Sequence, residues 1–130
     1  SYPWDTDFYQ AGRGLFRGYQ ATDVNGTVVL HNACSEGPGY STLYRKGGRL
    51  WKPPAERRGP RIGVESKGEA KLIICSPFIN QIDVKQDFPE TTLLCKTWDK
   101  VMKKLIQKCG KEAKAAIFPC APYTITEEEV

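Results

Sequence analysis

The chain has a single histidine, His31, in 130 residues, so any imidazole chemistry would have to pass through that one side chain. No stretch approaches the roughly 18 consecutive apolar residues of a membrane-crossing helix. Segment 1–14 lacks the basic-then-apolar pattern of a secretory signal. Cysteine is present, but not in the even, dense pattern of a disulfide framework. Cys34, Cys75, Cys95, Cys109 and Cys120 are five in number, far apart, and mostly set in apolar runs. They read as reduced thiols, which points to an intracellular protein, cytoplasmic or nuclear. Also missing are a phosphate-cradling glycine loop, convincingly spaced paired carboxylates, an internal repeat and a clear linker. His31 and Cys34 form one His-x-x-Cys pair, but a structural zinc site needs four ligands, usually from two such pairs, and no second pair exists. Cysteine–histidine catalysis would need His31 to reach a thiol such as Cys34 or Cys75 together with an orienting group, and nothing in the sequence arranges this. Asp5 and Asp7 read as solvated acids. No metal or cofactor is called for, and the chain leans away from being an enzyme.

What is present fits a packed domain. A chain of this length can bury roughly two-thirds of the surface its unfolded form exposes. At 40% hydrophobic and 26% charged it is too rich in apolar residues for a disordered segment. The expectation is one globular domain over 1–130, with an aromatic arm at 1–10 and an acidic tail at 124–130. The charge is unevenly placed. Segment 45–61 holds seven basic residues, Arg45, Lys46, Arg49, Lys52, Arg57, Arg58 and Arg61, against Glu56 alone, a local charge of +6. Segment 96–114 holds seven lysines against Asp99 and Glu112, a local charge of +5. The formal net charge is only +4, so the remainder carries −7.

The pattern predicts an α+β fold: several antiparallel hairpins forming one sheet, a long amphipathic helix at about 89–109 packed on it, and a final short strand. Segments 15–22 and 27–31 are rich in β-branched and aromatic residues around Asn25-Gly26, whose positive φ preference suits a hairpin turn. A second hairpin is expected at 40–46 and 49–52 around Gly47-Gly48, and a third at 61–65 and 70–75. Between them, 52–59 carries Pro53, Pro54 and Gly59 and reads as an exposed loop. A short edge strand is expected around 82–84. The helix is predicted from Pro89, from apolar residues at three- and four-residue spacing (Leu94, Trp98, Val101, Met102, Leu105, Ile106, Cys109), and from Gly110 as a left-handed cap. The final strand is placed at 115–118. A crossover joining 72–75 to 115–118 in parallel would be right-handed.

The basic loop supplies the functional expectation. Guanidinium groups with exposed aromatics grip phosphates and stack unpaired bases. Arg45, Lys46, Arg49, Lys52, Arg57, Arg58 and Arg61 are therefore the expected phosphate contacts, with Tyr44 and Trp51 as stacking platforms. Lys100 and Lys104 join them if the helix shares their face. The expected partner is RNA or another single strand, because the basic block lies in a loop between strands and not on a recognition helix. The alternative is an interaction or structural domain whose basic loop meets an acidic protein surface or the chain's own Glu127–Glu129 run. A third reading begins at Cys75-Ser76-Pro77-Phe78. It resembles the Asp/Asn/Ser-Pro-Pro-aromatic motif of amino-methyltransferases, with one proline where that family has two. The resemblance implies a small transferase acting on nucleic acid, with Gly12-Arg13-Gly14 in the place of the cofactor loop.

Overall fold

The computed structural model describes residues 5–39, 49 and 71–123. Three strands form one all-parallel sheet in the order β1 (Thr27–His31), β2 (Lys71–Cys75), β3 (Leu93–Cys95). The register pairs Thr27 with Lys71, Ile73 with Leu93 and Cys75 with Cys95. Parallel sheets need both faces covered, and helices cover them here. On one face, Val28, Leu72 and Ile74 pack with Phe8, Ala11 and Leu15 of the N-terminal helices and with Val84 of α3. Those helices are α1 (Phe8–Ala11) and α2 (Leu15–Ala21), joined by a 3-10 turn at Gly12–Gly14, and α3 is Gln81–Asp87. On the other face, Ile73, Cys75 and Cys95 pack with Val101, with Val29 and Leu105 at the margin. Val101 and Leu105 belong to α4 (Trp98–Cys109). β2 therefore reads as the unbroken apolar run Leu72-Ile73-Ile74-Cys75, buried on both sides.

The expected sheet of antiparallel hairpins is overturned. Segment 15–21 is helix α2, so the first hairpin does not form. The turn signal itself was sound, because Asn25 takes φ 67° and Gly26 N–H donates to the Asp23 carbonyl at 2.9 Å. What it joins is a helix to a strand. Ala11, Leu15 and Tyr19, four residues apart, make the buried side of this helical run, and Gly18 lets it approach β1: an added Cβ there would lie 2.8 Å from Val28 Cγ1. The strand expected at 70–75 exists but pairs parallel to β1 and β3. The second hairpin, apart from Arg49, and the first arm of the third lie outside the described residues.

The expected long helix at 89–109 is also corrected. Only Trp98–Cys109 is helical, and Leu93–Cys95 is the third strand. Leu94 had fitted the helical spacing, but its side chain belongs to the sheet face opposite α4. The C-terminal end agrees with expectation, since Gly110 takes φ 79° and its N–H donates to the Ile106 carbonyl at 3.0 Å. The edge strand expected at 82–84 is part of α3, which Asn80 and Asp83 cap reciprocally, each side chain accepting from the other's backbone N–H. The final strand at 115–118 is irregular backbone, with Ile117 84% exposed. Among the described residues no helix is long and apolar enough to cross a membrane.

Candidate nucleic-acid interface

Two contacts set the direction of α4. Near its start the Trp98 ring lies 5.3 Å from the His31 ring, inclined by 33°, at the carboxyl end of β1. Near its end Lys108 Nζ donates to Thr27 Oγ1 at 2.7 Å, at the amino end of the same strand. α4 thus runs antiparallel to the sheet, and the two ends of the sheet have different chemistry.

At the amino end, the second half of α4 and the first residues of the strands enclose a cleft of about 230 Å³. Lys71, Lys104 and Lys108 line it with Thr27, and Ile73 and Leu93 supply apolar surface. Among the described residues no acid lines it. Partial burial and the neighbouring positive charge of Lys71 both hold the Lys108 ammonium below the usual lysine pKa, with a small opposing effect from Cys109. Lys100, Lys104 and Lys108 recur every fourth residue and are exposed, which sets them in a row about 6 Å apart along the helix axis. Lys103, Lys111 and Lys114 are exposed as well.

At the carboxyl end Asn32 Oδ1, Cys34 Sγ and Ser76 Oγ are engaged with one another or with backbone. Asn32 N–H donates to Cys75 O at 3.1 Å and Ser76 N–H to Cys95 O at 3.0 Å, extending the ladders past the strands. Ser76 Oγ donates to the Ala33 carbonyl at 2.8 Å, and Cys34 Sγ donates to Asn32 Oδ1 at 3.1 Å. Lys96 Nζ donates to the carbonyls of Pro77 and Ile79. The N-terminal segment is tied to the loop after β1: Cys34 N–H donates to Asp5 O and Glu36 N–H to Thr6 O, each at 2.8 Å. Burial pushes the Cys34 thiol up to about 12, outweighing its hydrogen bond with Ser76 and reinforced by Asp7 and Asp5. Such a thiol stays protonated at neutral pH and is a poor nucleophile. Asn32 Nδ2 is buried with no hydrogen-bond partner among the described residues.

Of the expected contacts, Lys104 lies in the cleft and Lys100 stands one turn before it on α4. Arg49 is exposed in a turn. Tyr44, Arg45, Lys46, Trp51, Lys52, Arg57, Arg58 and Arg61 lie outside the described residues. Lys71 and its pairing with Lys108 were not singled out in the sequence. Lys71 lies outside both basic blocks in the sequence, and only the parallel register sets it beside the helix end. His31 is exposed and stacked on Trp98 while Cys34 is fully buried, so the two are in different surroundings. Among the described residues no group of three or more His, Cys, Asp or Glu side chains converges as metal ligands. In the Cys75–Phe78 motif, Ser76 is fully buried with its hydroxyl engaged, and Phe78 is 62% exposed. Gly12–Gly14 turns between two helices, whereas a cofactor loop of that kind leads from a strand into a helix. No protein-family model, no curated protein and no solved structure matches the chain.

Proposed function

We propose that the protein binds single-stranded nucleic acid, RNA above all, along the exposed lysine row of α4. The observation that carries this reading is the alignment of Lys100, Lys104 and Lys108 on one side of the helix, with Lys71 brought beside them from β2. Evenly spaced cations fit a polymer of evenly spaced phosphates, and a row on the surface suits a flexible strand better than a duplex groove. The arginines of 45–61, with Tyr44 and Trp51, extend the same chemistry in sequence.

Fluorescence anisotropy of a labelled oligouridylate across a salt series tests this. Three phosphate contacts give a slope of log affinity against log salt of about −2 for a single strand. Lys100→Gln with Lys104→Gln should flatten that slope by about 1.4. A wild-type affinity indifferent to salt, or one unchanged in the double variant, refutes the assignment. A second reading, docking of a protein partner, is favoured by Trp98, Met102 and Ile106, which recur every fourth residue and form an exposed apolar line on α4. Capture from lysate with and without nuclease separates the two, because only a protein partner survives the digestion.

A further inference from the structure

We infer that the cleft between the end of α4 and the amino ends of the strands is a binding site for a phosphomonoester dianion. This rests on the nucleic-acid reading for its biological ligand, but the site is defined by its own geometry. Lys71, Lys104 and Lys108 converge on one concavity, whereas Lys100 and Lys111 are not part of its lining. Three ammonium groups match a doubly charged terminal phosphate better than the single charge of a backbone diester. Lys108 is held in place, since its Nζ donates a hydrogen bond to Thr27 Oγ1 at 2.7 Å. The same hydroxyl lies 4.0 Å from Cys109 Sγ, and its own hydrogen can turn from that sulfur to a phosphate oxygen. Lys71 is fixed by its strand, its backbone N–H donating to Gly26 O at 3.1 Å. Ile73 and Leu93 give the cleft an apolar side, which weakens solvent screening of the charges and offers a surface to the sugar that follows the phosphate. With no acid among the described residues of the lining, the cleft sets like charges facing each other, and an anion relieves that repulsion. Burial first, and then the charge of Lys71, holds the Lys108 ammonium below the usual lysine pKa.

The ligand chemistry has two sources, the terminal phosphate of a strand and a free phosphate monoester. The test compares uridine oligonucleotides bearing a 5′-phosphate, a 3′-phosphate or hydroxyls at both ends, and separately adds uridine monophosphate or inorganic phosphate while backbone amide signals are followed by NMR. A terminal phosphate is expected to raise oligonucleotide affinity about tenfold. Lys71→Gln and Lys108→Gln should each remove most of that gain, and Lys114→Gln should retain it. The free monoester should shift the amides of Thr27, Lys71 and Leu93 and leave that of Lys114 unmoved. If the free monoester binds there while no oligonucleotide binds the wild type, the cleft stands as a small-anion site and the nucleic-acid reading falls. If oligonucleotides bind equally with and without terminal phosphate, and neither phosphate nor the monoester moves the cleft amides, the cleft assignment is overturned and the nucleic-acid reading survives. Shifts at Lys114 as large as those at Lys71 also overturn it, since they report diffuse charge and not a site.

Discussion

The two ends of the sheet differ in how their polar groups are engaged. At the carboxyl end, Asn32, Cys34 and Ser76 are buried and bonded to one another or to backbone, and the N-terminal segment is tied across them. At the amino end, lysines from a strand and a helix converge with no acid among the described residues of the cleft. In open parallel sheets, ligands usually bind outside the carboxyl ends of the strands. Here, among the described residues, the polar groups of that end are bonded within the fold except for Asn32 Nδ2, and the lysine cluster is at the other end. A polar group engaged by its neighbours contributes to stability, whereas a set of like charges left facing each other is available for a ligand.

That contrast can be broken most forcefully at the carboxyl end. Ile79, fully buried just past β2, should cost about 3 kcal/mol of stability as Ile79→Ala, by urea denaturation, with oligonucleotide affinity of the folded protein unchanged. Next comes the loop after β1. Gly39→Ala combines a φ of 75° with a Cβ that would lie 2.7 Å from Asp7 Cβ and Cγ, so a loss of about 2 kcal/mol is expected. Gly37→Ala, at φ 65° with nothing within 4 Å, carries only the backbone term and should lose about 1 kcal/mol. Equal losses for the two glycines would show that Asp7 is not packed as described. At the amino end the pattern reverses: Lys104→Gln with Lys108→Gln should weaken oligonucleotide binding about tenfold, or about 1.4 kcal/mol, and leave the thermal midpoint unchanged or slightly raised.

The ends should also respond to pH with opposite signs. The Cys34 thiol is raised from 9.0 to about 12 by folding, so its contribution is fully present below about pH 9 and is lost as pH climbs toward 12. The urea midpoint of the wild type should therefore fall between pH 8 and 10, by an amount on the order of 1 kcal/mol in stability, and Cys34→Ser should remove that part of the fall. Lys108 is depressed, so its charged form penalises the fold at lower pH and the penalty lifts as pH rises toward 10.5. Lys108→Gln should erase that smaller, opposite drift.

How much of this was legible in the sequence depends on the range over which each signal acts. Short-range signals were read correctly: Asn25-Gly26 turns, Gly110 ends a helix at Cys109, and Leu72–Cys75 is a buried strand. Errors came where two periodicities run together. Leu94 and Trp98 share a four-residue spacing, yet one belongs to a strand and the other opens a helix. Segment 15–21 carries Phe16 and Tyr19, which suit a strand by type, while Ala11, Leu15 and Tyr19 bury along a helix by position. Strand direction is not encoded locally, because β1 and β2 are paired across about forty intervening residues. For the same reason the lysine block of 96–114 was visible as charge, but Lys71 could join it only through the parallel register.

The most direct test of the division between the two ends is a titration of the isotopically labelled wild-type protein with a 5′-phosphorylated oligouridylate, followed by backbone amide NMR. The account predicts that the largest shifts fall at Thr27, Lys71, Leu93 and residues 100–111 of α4 and its cap, with Asn32, Cys34 and Ser76 unmoved. Shifts concentrated at Asn32, Cys34 and Ser76, with the α4 lysines silent, would contradict it.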